Sequence, residues 1–337
     1  KEAEMTDQQI KPAVSQQDMA TIETYKYKIY KPTRLLLLGD TDSEPGKRME
    51  MFCDRIQAHI PSLTVKKEPG EDEPLAVFIP PNIRFEAVAE GKLLELFLKT
   101  TAGVPAMDDT EAEVSGEEIQ NRLKLPGVVR IYVSPSCPHC PNAVARWLYM
   151  ASCAPEMLEL HIIDAAMFPE SAASENIKSV PTAILDGQFR WTGVIPVAEM
   201  LDVMENRDPR ELSAETLKKI VADGDAEGLA GLMTSSHTVI PGFLELLAHP
   251  RWPTRLGAMV AFEYLAEQSP ELAREAIDSM WSGFSELDDA VKGDIIHLFG
   301  VLNDRQLNPR LESVINGAYP EQIKQAAREV MSDIKDT

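Results

Sequence analysis

The sequence predicts an α/β region followed by an all-α region. Two stretches of the first 208 residues alternate buried-strand runs with amphipathic helical patterns, whereas the rest of the chain shows only helical patterns. In the second stretch, a Cys-x-x-Cys pair lies between a strand pattern and a helix pattern. We therefore divide the chain into residues 1–31, 32–103, 104–119, 120–208 and 209–337.

The composition is that of a folded, acidic protein. Of its 337 residues, 44% are hydrophobic, and the formal net charge is −21. A surface of this charge repels phosphate backbones, so we do not expect a nucleic-acid partner. No apolar run approaches the roughly 18 residues that cross a membrane, and the polar extension over residues 1–31 lacks the apolar core of a signal peptide. Four cysteines are too few for a disulfide scaffold, so we expect a cytoplasmic protein without membrane partners.

The segment of residues 32–103 predicts strand, helix, strand, strand and helix. Its strand runs are RLLLL, LTV and LAVFI, and its helical patterns are KRMEMFCDRIQAHI and KLLELFLKT. Residues 104–119 are acidic and show no apolar period, which predicts a solvated linker.

The segment of residues 120–208 repeats this plan with clearer patterns. GVVRIYV predicts a strand, PNAVARWLYMAS an amphipathic helix and LELHIID a second strand. VPTAILDG and QFRWTG predict a hairpin around Asp186 and Gly187, and IPVAEMLDVMEN predicts a closing helix. This order of elements is that of a thioredoxin-type fold.

The segment of residues 209–337 predicts a helical repeat domain. Three stretches align, namely TRLGAMVAFEYLAE, VKGDIIHLFGVLND and IKQAAREVMSDIKD. Their basic anchors Arg255, Lys292 and Lys324 follow one another at intervals of 37 and 32 residues. One matched helix per period of this length is typical of a helical solenoid and resembles HEAT-like repeats. An irregular helical bundle is the alternative interpretation.

The motif Cys-Pro-His-Cys at residues 137–140 indicates the chemistry. A structural zinc site needs four ligands, and Cys53 and Cys153 are isolated, so the sequence favours a redox pair over a metal site. The strand–helix junction places Cys137 at a helix N-terminus, where unpaired N–H groups and the helix dipole favour a thiolate. Cys140 falls on the buried stripe of the helix. We therefore expect Cys137 to be the exposed nucleophile and Cys140 the shielded resolving thiol.

Two more residues are candidates for the same site. His139 can stabilise the thiolate when it is protonated, and the alternative is a loop histidine with no role of its own. Val180-Pro181 opens a strand about forty residues after the cysteine pair, which is where thioredoxin folds place a cis-proline beside the dithiol. We therefore expect this peptide bond to be cis and close to the two sulfurs.

The stretches IYVSPSCPHCPNAVARWLYMA, IID and SVPTAILDGQF, with the closing helix, resemble two groups of proteins. One is the N-terminal domain of the flavoprotein subunit of alkyl hydroperoxide reductase. The other is the archaeal protein disulfide oxidoreductase, a glutaredoxin-like protein. The resemblance covers residues 32–208 and implies two fused thioredoxin-like folds, of which the second carries the active dithiol.

The resemblance also implies two sites in the first fold, which is degenerate because it has no dithiol. Pro74, which precedes LAVFI, matches the cis-proline position of that fold. Glu90 matches a glutamate that lies near the dithiol and is implicated in proton transfer, although the flanking His and Phe of the family motif are replaced by Ala89 and Gly91. The alternative for Glu90 is an ordinary carboxylate at a helix N-terminus.

Together, these observations predict a thiol–disulfide oxidoreductase that needs no bound cofactor. The chain lacks the Gly-x-Gly-x-x-Gly of a nicotinamide-binding reductase, so we expect an upstream reductase such as thioredoxin reductase to supply electrons. The expected clients are protein disulfides, with that of a peroxiredoxin as one candidate, and reduction is the expected direction because the cytosol keeps thiols reduced. The helical domain is expected to recruit partners. The alternatives are a disulfide oxidase or isomerase, and a HEAT-type adaptor or redox sensor whose thioredoxin unit only binds.

Overall fold

The computed structural model describes residues 15–68, 70 and 74–336. Their contacts define two units. The first runs to Lys124 and continues from Val128 to Glu205, and the second consists of Leu125–Gly127 and Asn206–Thr337. An α/β region is followed by an all-α region, as predicted. None of the described helices is long and apolar enough to cross a lipid bilayer.

The α/β region alternates strands and helices in two successive rounds. In chain order its elements are α1 (Gln16–Tyr25), β1 (Thr33–Leu38), α2 (Glu44–His59), β2 (Leu63–Glu68), β3 (Ala76–Ile79), β4 (Ile83–Glu86), α3 (Lys92–Thr101), α4 (Asp109–Ala112), α5 (Gly116–Arg122), β5 (Gly127–Val133), α6 (Cys140–Cys153), β6 (Leu158–Asp164), α7 (Pro169–Ser174), β7 (Thr182–Leu185), β8 (Phe189–Thr192) and α8 (Val197–Glu205).

The strands of both rounds form one eight-stranded sheet with the order β2-β1-β3-β4-β6-β5-β7-β8. The two rounds meet at β4 and β6, which pair in parallel and place Glu86 opposite Ile163. Since β3 is antiparallel to both β1 and β4, strands β1, β4 and β6 all end at the same end of the sheet. The N–H of Ala165, just after β6, donates to the carbonyl of Val133, the last residue of β5. The turns that follow β4, β5 and β6 therefore begin side by side.

One core runs through both rounds on one face of the sheet. Trp147 of α6 is 1% exposed, and its ring lies 5.5 Å from that of Trp191 in β8. Phe85 of β4 and Phe97 of α3 make an edge contact at 5.0 Å. A smaller cluster on the other face lies at α7 and comprises Tyr132, Ile163, Ala172 and Ile184. The shared core joins the two thioredoxin-like halves into a single packed body.

The expectation that residues 1–31 form a polar extension is wrong for the part from residue 15 onwards. Helix α1 buries Ile22 and Tyr25 in the shared core, as does Ile29 just beyond it. Its Asp18 accepts a hydrogen bond of 2.8 Å from the N–H of Gly91. So few apolar residues in a polar stretch give no visible helical period, although these three are buried. Residues 1–14 of the extension lie outside the described residues.

The expectation that residues 104–119 form a solvated linker is also wrong. Asp108 and Glu111 form a capping box at the start of α4, and Val114 and Ile119 are buried in the shared core. The Tyr149 hydroxyl lies 2.6 Å from Asp109 Oδ1. The acidic residues that suggested a connector are largely helix caps and hydrogen-bond acceptors.

In the first half, one strand was not expected from the sequence, and one expected feature lies outside the described residues. Strand β4 was not predicted, because its sequence IRFE is short and alternates apolar with charged residues. The peptide bond before Pro74 involves residue 73, which lies outside the described residues. A cis bond described in this half is Pro80-Pro81, between β3 and β4.

The second unit is helical throughout. After a 3₁₀ turn at Pro209–Glu211, its helices are α9 (Ala214–Ala222), α10 (Ala226–Ser236), α11 (Pro241–Leu247), α12 (Trp252–Gln268), α13 (Pro270–Ser282), α14 (Asp289–Leu302), α15 (Asn308–Asn316) and α16 (Glu321–Asp336).

The three aligned stretches of the sequence fall in α12, α14 and α16, and each of these helices contacts the next. Helices α9, α11 and α13 also contact one another in succession. This succession agrees with stacked helix pairs, and their assignment to HEAT-like repeats stays a prediction. At the start of the unit, the Arg207 guanidinium donates to the carbonyls of Leu125 and Pro126 at 2.8 Å each.

Candidate redox-active site

The Cys-Pro-His-Cys motif forms the turn between β5 and α6. Strand β5 ends at Val133, and helix α6 begins at Cys140. Cys137 is half-buried, whereas Cys140 is 0% exposed. Both cysteines carry free thiols. The position between strand and helix and the burial of Cys140 are as predicted from the sequence.

The backbone around the motif is directed at the sulfur of Cys137. The N–H of Cys140, in the first turn of α6, donates to Cys137 Sγ over 3.2 Å. The Cys137 thiol in turn lies 3.5 Å from the Val180 carbonyl oxygen, to which it donates. An N–H donor at a helix N-terminus stabilises negative charge on the atom it faces. The arrangement therefore favours Cys137 as the attacking sulfur.

The second thiol is held in its protonated form. Burial, a hydrogen bond with Cys137 and the nearby charges of Cys137 and Asp164 raise the pKa of Cys140 to about 12. A thiol of this pKa does not attack a disulfide at neutral pH until a base takes its proton. The two cysteines are thus chemically different even though only two residues separate them.

Pro181 and His139 both lie at this turn, with different surroundings. The Val180-Pro181 bond is cis, and the Val180 carbonyl is the one near Cys137. The cis bond is as expected, and the role of Pro181 at the site stays a prediction. His139 is exposed and precedes α6 without making a side-chain capping bond. Its proposed effect on the thiolate stays a prediction.

Glu90 lies in the turn between β4 and α3, one residue before the N-cap Gly91. This turn starts at the end of the sheet where β6 ends, because Glu86 pairs with Ile163. The dithiol turn starts at the same end, through the bond from Ala165 to Val133. The Glu90 side chain is exposed, and no hydrogen bond to either sulfur is described for it. Its role in proton transfer stays a prediction.

Asp164 is a residue of the site that the sequence patterns did not single out. It ends β6, is 4% exposed, and accepts hydrogen bonds from the N–H groups of Ala166 and Met167 at 2.9 and 3.3 Å. Its charge contributes to the raised pKa of Cys140. A signal was present in the stretch IID, where an acid terminates a buried strand.

A buried ionic cluster lies where β4 meets β6, and no pattern in the sequence indicates it. His161 Nδ1 is 2.8 Å from Glu86, and its Nε2 is 2.9 Å from Glu159. Arg84 donates to the same Glu159 oxygen at 2.9 Å. Burial alone would lower the pKa of His161, but the hydrogen bonds and charges of both glutamates outweigh it and raise the pKa to about 9. Burial alone would raise the pKa of Glu159, but the bonds and charges of His161 and Arg84 lower it to about 2. His161 and Glu159 are therefore ionised at neutral pH, and the bond from His161 to Glu86 links the two halves of the sheet.

The remaining cysteines belong to the packing. Cys53 is buried, and this burial is the main reason why its pKa is raised to about 12. Cys153 is half-buried at the end of α6, and burial raises its pKa too. Within the described ranges, no three His, Cys, Asp or Glu side chains are grouped so that they could hold a metal ion.

Comparison with known proteins places this site in a recognised domain. Residues 128–205 match the model of the thioredoxin domain. The chain is 25% identical to the F subunit of alkyl hydroperoxide reductase from Pseudomonas aeruginosa over 249 residues, which is 71% of this chain but 44% of that protein. It is 27% identical to a thioredoxin of Methanocaldococcus jannaschii over 79 residues, which is 23% of this chain and 93% of that protein. The chain thus spans less than half the length of the Pseudomonas reductase protein.

Two solved structures are similar to somewhat more than half of this chain. The N-terminal domain of alkyl hydroperoxide reductase AhpF from Enterococcus faecalis matches 55% of this chain and 96% of its own, with 21% identity and a TM-score of 0.46. A protein disulfide oxidoreductase from Aeropyrum pernix matches 57% of this chain and 93% of its own, with 15% identity and a TM-score of 0.49.

Proposed function

We propose that this chain, which carries a thioredoxin domain at residues 128–205, is a thiol–disulfide oxidoreductase that exchanges disulfides with protein clients. The observation that carries the proposal is the bond of 3.2 Å from the Cys140 N–H to Cys137 Sγ, beside a Cys140 thiol that is fully buried. One sulfur is half-buried and accepts a backbone N–H at the start of α6, and the other is shielded and kept protonated. This is the asymmetry that a two-step exchange needs.

The exchange proceeds in two steps. The Cys137 thiolate attacks one sulfur of a client disulfide, which breaks the S–S bond, forms a mixed disulfide and releases the other client sulfur to take up a proton. Cys140 then loses its proton and attacks Cys137 Sγ, which forms the Cys137–Cys140 disulfide and releases the client as a dithiol. The client gains two electrons, and the chain loses them. A dithiol donor, the upstream reductase, then restores Cys137 and Cys140.

Three other residues assist these steps. Pro181 follows the carbonyl that faces Cys137, so a client segment docked at this sulfur lies against Val180 and Pro181. Because the pKa of Cys140 is about 12, its proton has to be accepted by a base, and Glu90 is the proposed acceptor at the same end of the sheet. His139, exposed beside Cys137, stabilises the thiolate when it is protonated.

Direction, partners and location are the finer part of the proposal. We assign reduction of client disulfides, with a peroxiredoxin as one client class, on the sequence resemblance to the peroxide-reductase flavoprotein. A thioredoxin reductase is the proposed electron source, and the cytoplasm is the proposed compartment. The helical unit recruits partners, because stacked helices supply binding surface without adding chemistry.

Trapping tests the proposal directly. The Cys140→Ser variant should stall as a mixed disulfide on Cys137, which mass spectrometry of the captured complex would identify together with its client. In an insulin-reduction assay driven by a small dithiol, the Cys137→Ser variant should lose activity, and the Cys153→Ser variant should keep it. Full activity of Cys137→Ser would refute the proposal. Partner binding that survives Cys137→Ser, in a chain that never turns over, would instead support the adaptor or redox-sensor interpretation.

A further inference from the structure

Lys292 is a buried cation in the helical unit that is poorly neutralised. It lies in the first turns of α14 and is 8% exposed. Its ammonium lies 3.3 Å from Asp289, whose side chain is 58% exposed, and 5.8 Å from the centre of the Tyr319 ring. An ammonium group has three N–H donors. The described contacts of Lys292 use one donor, in a long bond to a largely solvated carboxylate.

Arg255, which is aligned with Lys292 in the sequence, is a buried cation whose hydrogen-bond donors have partners. It precedes Lys292 by one repeat interval and is 5% exposed. Its Nε donates to Asp294 at 2.7 Å, and its Nη1 donates to the carbonyls of His249 and Pro250 at 2.8 and 2.9 Å. This buried charge is paired and hydrogen-bonded within the fold, as a structural cation requires.

The sequence explains why Lys292 has no such partner. Asp294, the partner of Arg255, follows Lys292 by two residues in α14. The position two residues after Lys324, the next aligned anchor, is Ala326 in α16. Alanine has no carboxylate, so Ala326 cannot pair with Lys292 as Asp294 pairs with Arg255. The ammonium of Lys292 is thus buried without the ion pair that secures Arg255, which costs stability unless another anion binds.

The same lysine lines a cavity of about 550 Å³. Ser285, Ser313, Gly317 and Tyr319 also border it, and the Tyr319 ring rests against Phe284 with their centres 5.8 Å apart. This volume falls in the range of pockets that hold small ligands, roughly 300 to 1,000 Å³. The cavity therefore combines a buried ammonium, two serine side chains and one aromatic wall.

We propose that this cavity binds a carboxylate group of a protein partner, with Lys292 as its cationic ligand. A carboxylate accepts charge-assisted hydrogen bonds from the N–H groups of an ammonium. The Ser285 and Ser313 hydroxyls donate instead to Glu286 and to the carbonyl of Arg310. Asp289 lines the cavity, and Glu286 lies 3.2 Å from the Ser285 hydroxyl. A phosphate dianion is repelled by these two acids more strongly than a carboxylate, which carries one charge. The favoured ligand is thus an acidic side chain or a chain terminus.

This inference does not rest on the dithiol, because no atom of residues 137–140 takes part in it. It gives the recruitment proposed for the helical unit a defined site, and its outcome can be read in a Cys137→Ser chain. Failure of the carboxylate site and failure of the redox proposal are therefore distinguishable.

The test is a titration of the full-length, ¹⁵N-labelled chain, followed by NMR. The probe is the peptide acetyl-Ala-Glu-Ala-amide, compared at constant ionic strength with acetyl-Ala-Gln-Ala-amide. We expect the glutamate peptide to shift the amide signals of Ser313 and Gly317 with an affinity at least tenfold higher than that of the glutamine peptide. The Lys292→Met variant should lose this response. The matched variant Lys324→Met, at the aligned anchor outside the cavity lining, should keep it.

Two further measurements keep the test decisive. Lys292→Met should unfold at the same temperature as the parent chain or higher, because it removes a poorly paired buried charge. If that variant does not fold, Ser313→Glu at the exposed border of the cavity should compete for Lys292 and abolish the response. Equal responses to the two peptides, or a response that survives both substitutions, would overturn the site. Stronger shifts with inorganic phosphate than with the glutamate peptide would overturn the choice of a carboxylate.

Discussion

The backbone N–H of Cys140 points at the sulfur of Cys137 over 3.2 Å, while the thiol of Cys140 itself is buried among the core residues of α6. One residue thus stabilises negative charge on its neighbour through its main chain and stays uncharged in its side chain. The order of attack in the exchange follows from this relationship.

The two thiols should differ strongly in reactivity. Cys137 should be alkylated by iodoacetamide at least about tenfold faster than Cys140 near neutral pH, because it is accessible and faces a helix N–H donor. In the Cys137→Ser variant, Cys140 should still react slowly near neutral pH, because burial is the largest cause of its raised pKa. Peptide mapping of the alkylated protein measures both rates. Equal rates, or a faster Cys140, would reverse the assignment.

Glu90 should matter for the second step and not for the first. Glu90→Gln removes the proposed proton acceptor and should slow release of the client from the mixed disulfide by roughly tenfold or more. The alkylation rate of Cys137 should stay unchanged. Glu95→Gln, in the helix that follows Glu90 and paired with Lys99 at 3.8 Å, is the matched control. If rapid-quench measurements show the same release rate in both variants, Glu90 is only a carboxylate at the start of a helix.

Asn82 should stabilise the folded protein through its hydrogen bonds between the two halves of the sheet. Its side-chain amide donates to the carbonyls of Ala151 and Leu158 at 2.9 and 2.6 Å, and the residue is 3% exposed. Asn82→Ala leaves two buried carbonyls without this donor, so the free energy of unfolding should fall by about 2 to 3 kcal/mol. Urea denaturation measures the change, with the exposed Asn121→Ala as control. A loss below about 0.5 kcal/mol would mean that water replaces the amide.

His161 should make stability depend on pH in the alkaline range. Its folded-state pKa of about 9 lies above that of an unfolded histidine, near 6.5. The folded state therefore binds the proton more tightly, and the stabilisation is complete below pH ~6.5 and is lost as the pH rises through ~9. The free energy of unfolding should fall by roughly 2 to 3 kcal/mol across this window. His161→Gln should flatten the profile, whereas the exposed His297→Gln should not.

Ending the chain after Asp208 should leave a folded redox unit. The first unit holds the complete eight-stranded sheet and the core cluster shared by both halves, and the cut keeps Arg207. Insulin reduction should stay within about twofold of the full chain, because it needs only Cys137, Cys140 and Pro181. Activity towards a trapped native client should drop. Loss of cooperative unfolding would mean that the helices are structural, and unchanged kinetics with that client would mean that they serve another partner.

Much of the redox site could be predicted from local sequence. A strand, two cysteines three residues apart and an amphipathic helix define where Cys137 and Cys140 lie, because the strand and the helix direct the turn between them. The Val180-Pro181 pair at the start of a strand identified the loop that faces the sulfur. Residues whose environment comes from long-range packing gave no such signal. In the sequence, Asp18, Asp164 and His161 look like ordinary polar residues. Each also meets a residue far along the chain, namely Gly91, Cys140 and Glu86 respectively.

Local sequence was thus sufficient for the element types, the dithiol and the change from α/β to all-α, because these depend on periodicity and on neighbours within one or two turns. The folded chain was needed to show that both rounds share one sheet, that α1 and the acidic segment before β5 are packed, and that Lys292 is buried without the carboxylate that Arg255 has. Strand pairing and the burial of a charge depend on residues far apart in the chain. A polar residue carries no local mark of whether a distant partner meets it.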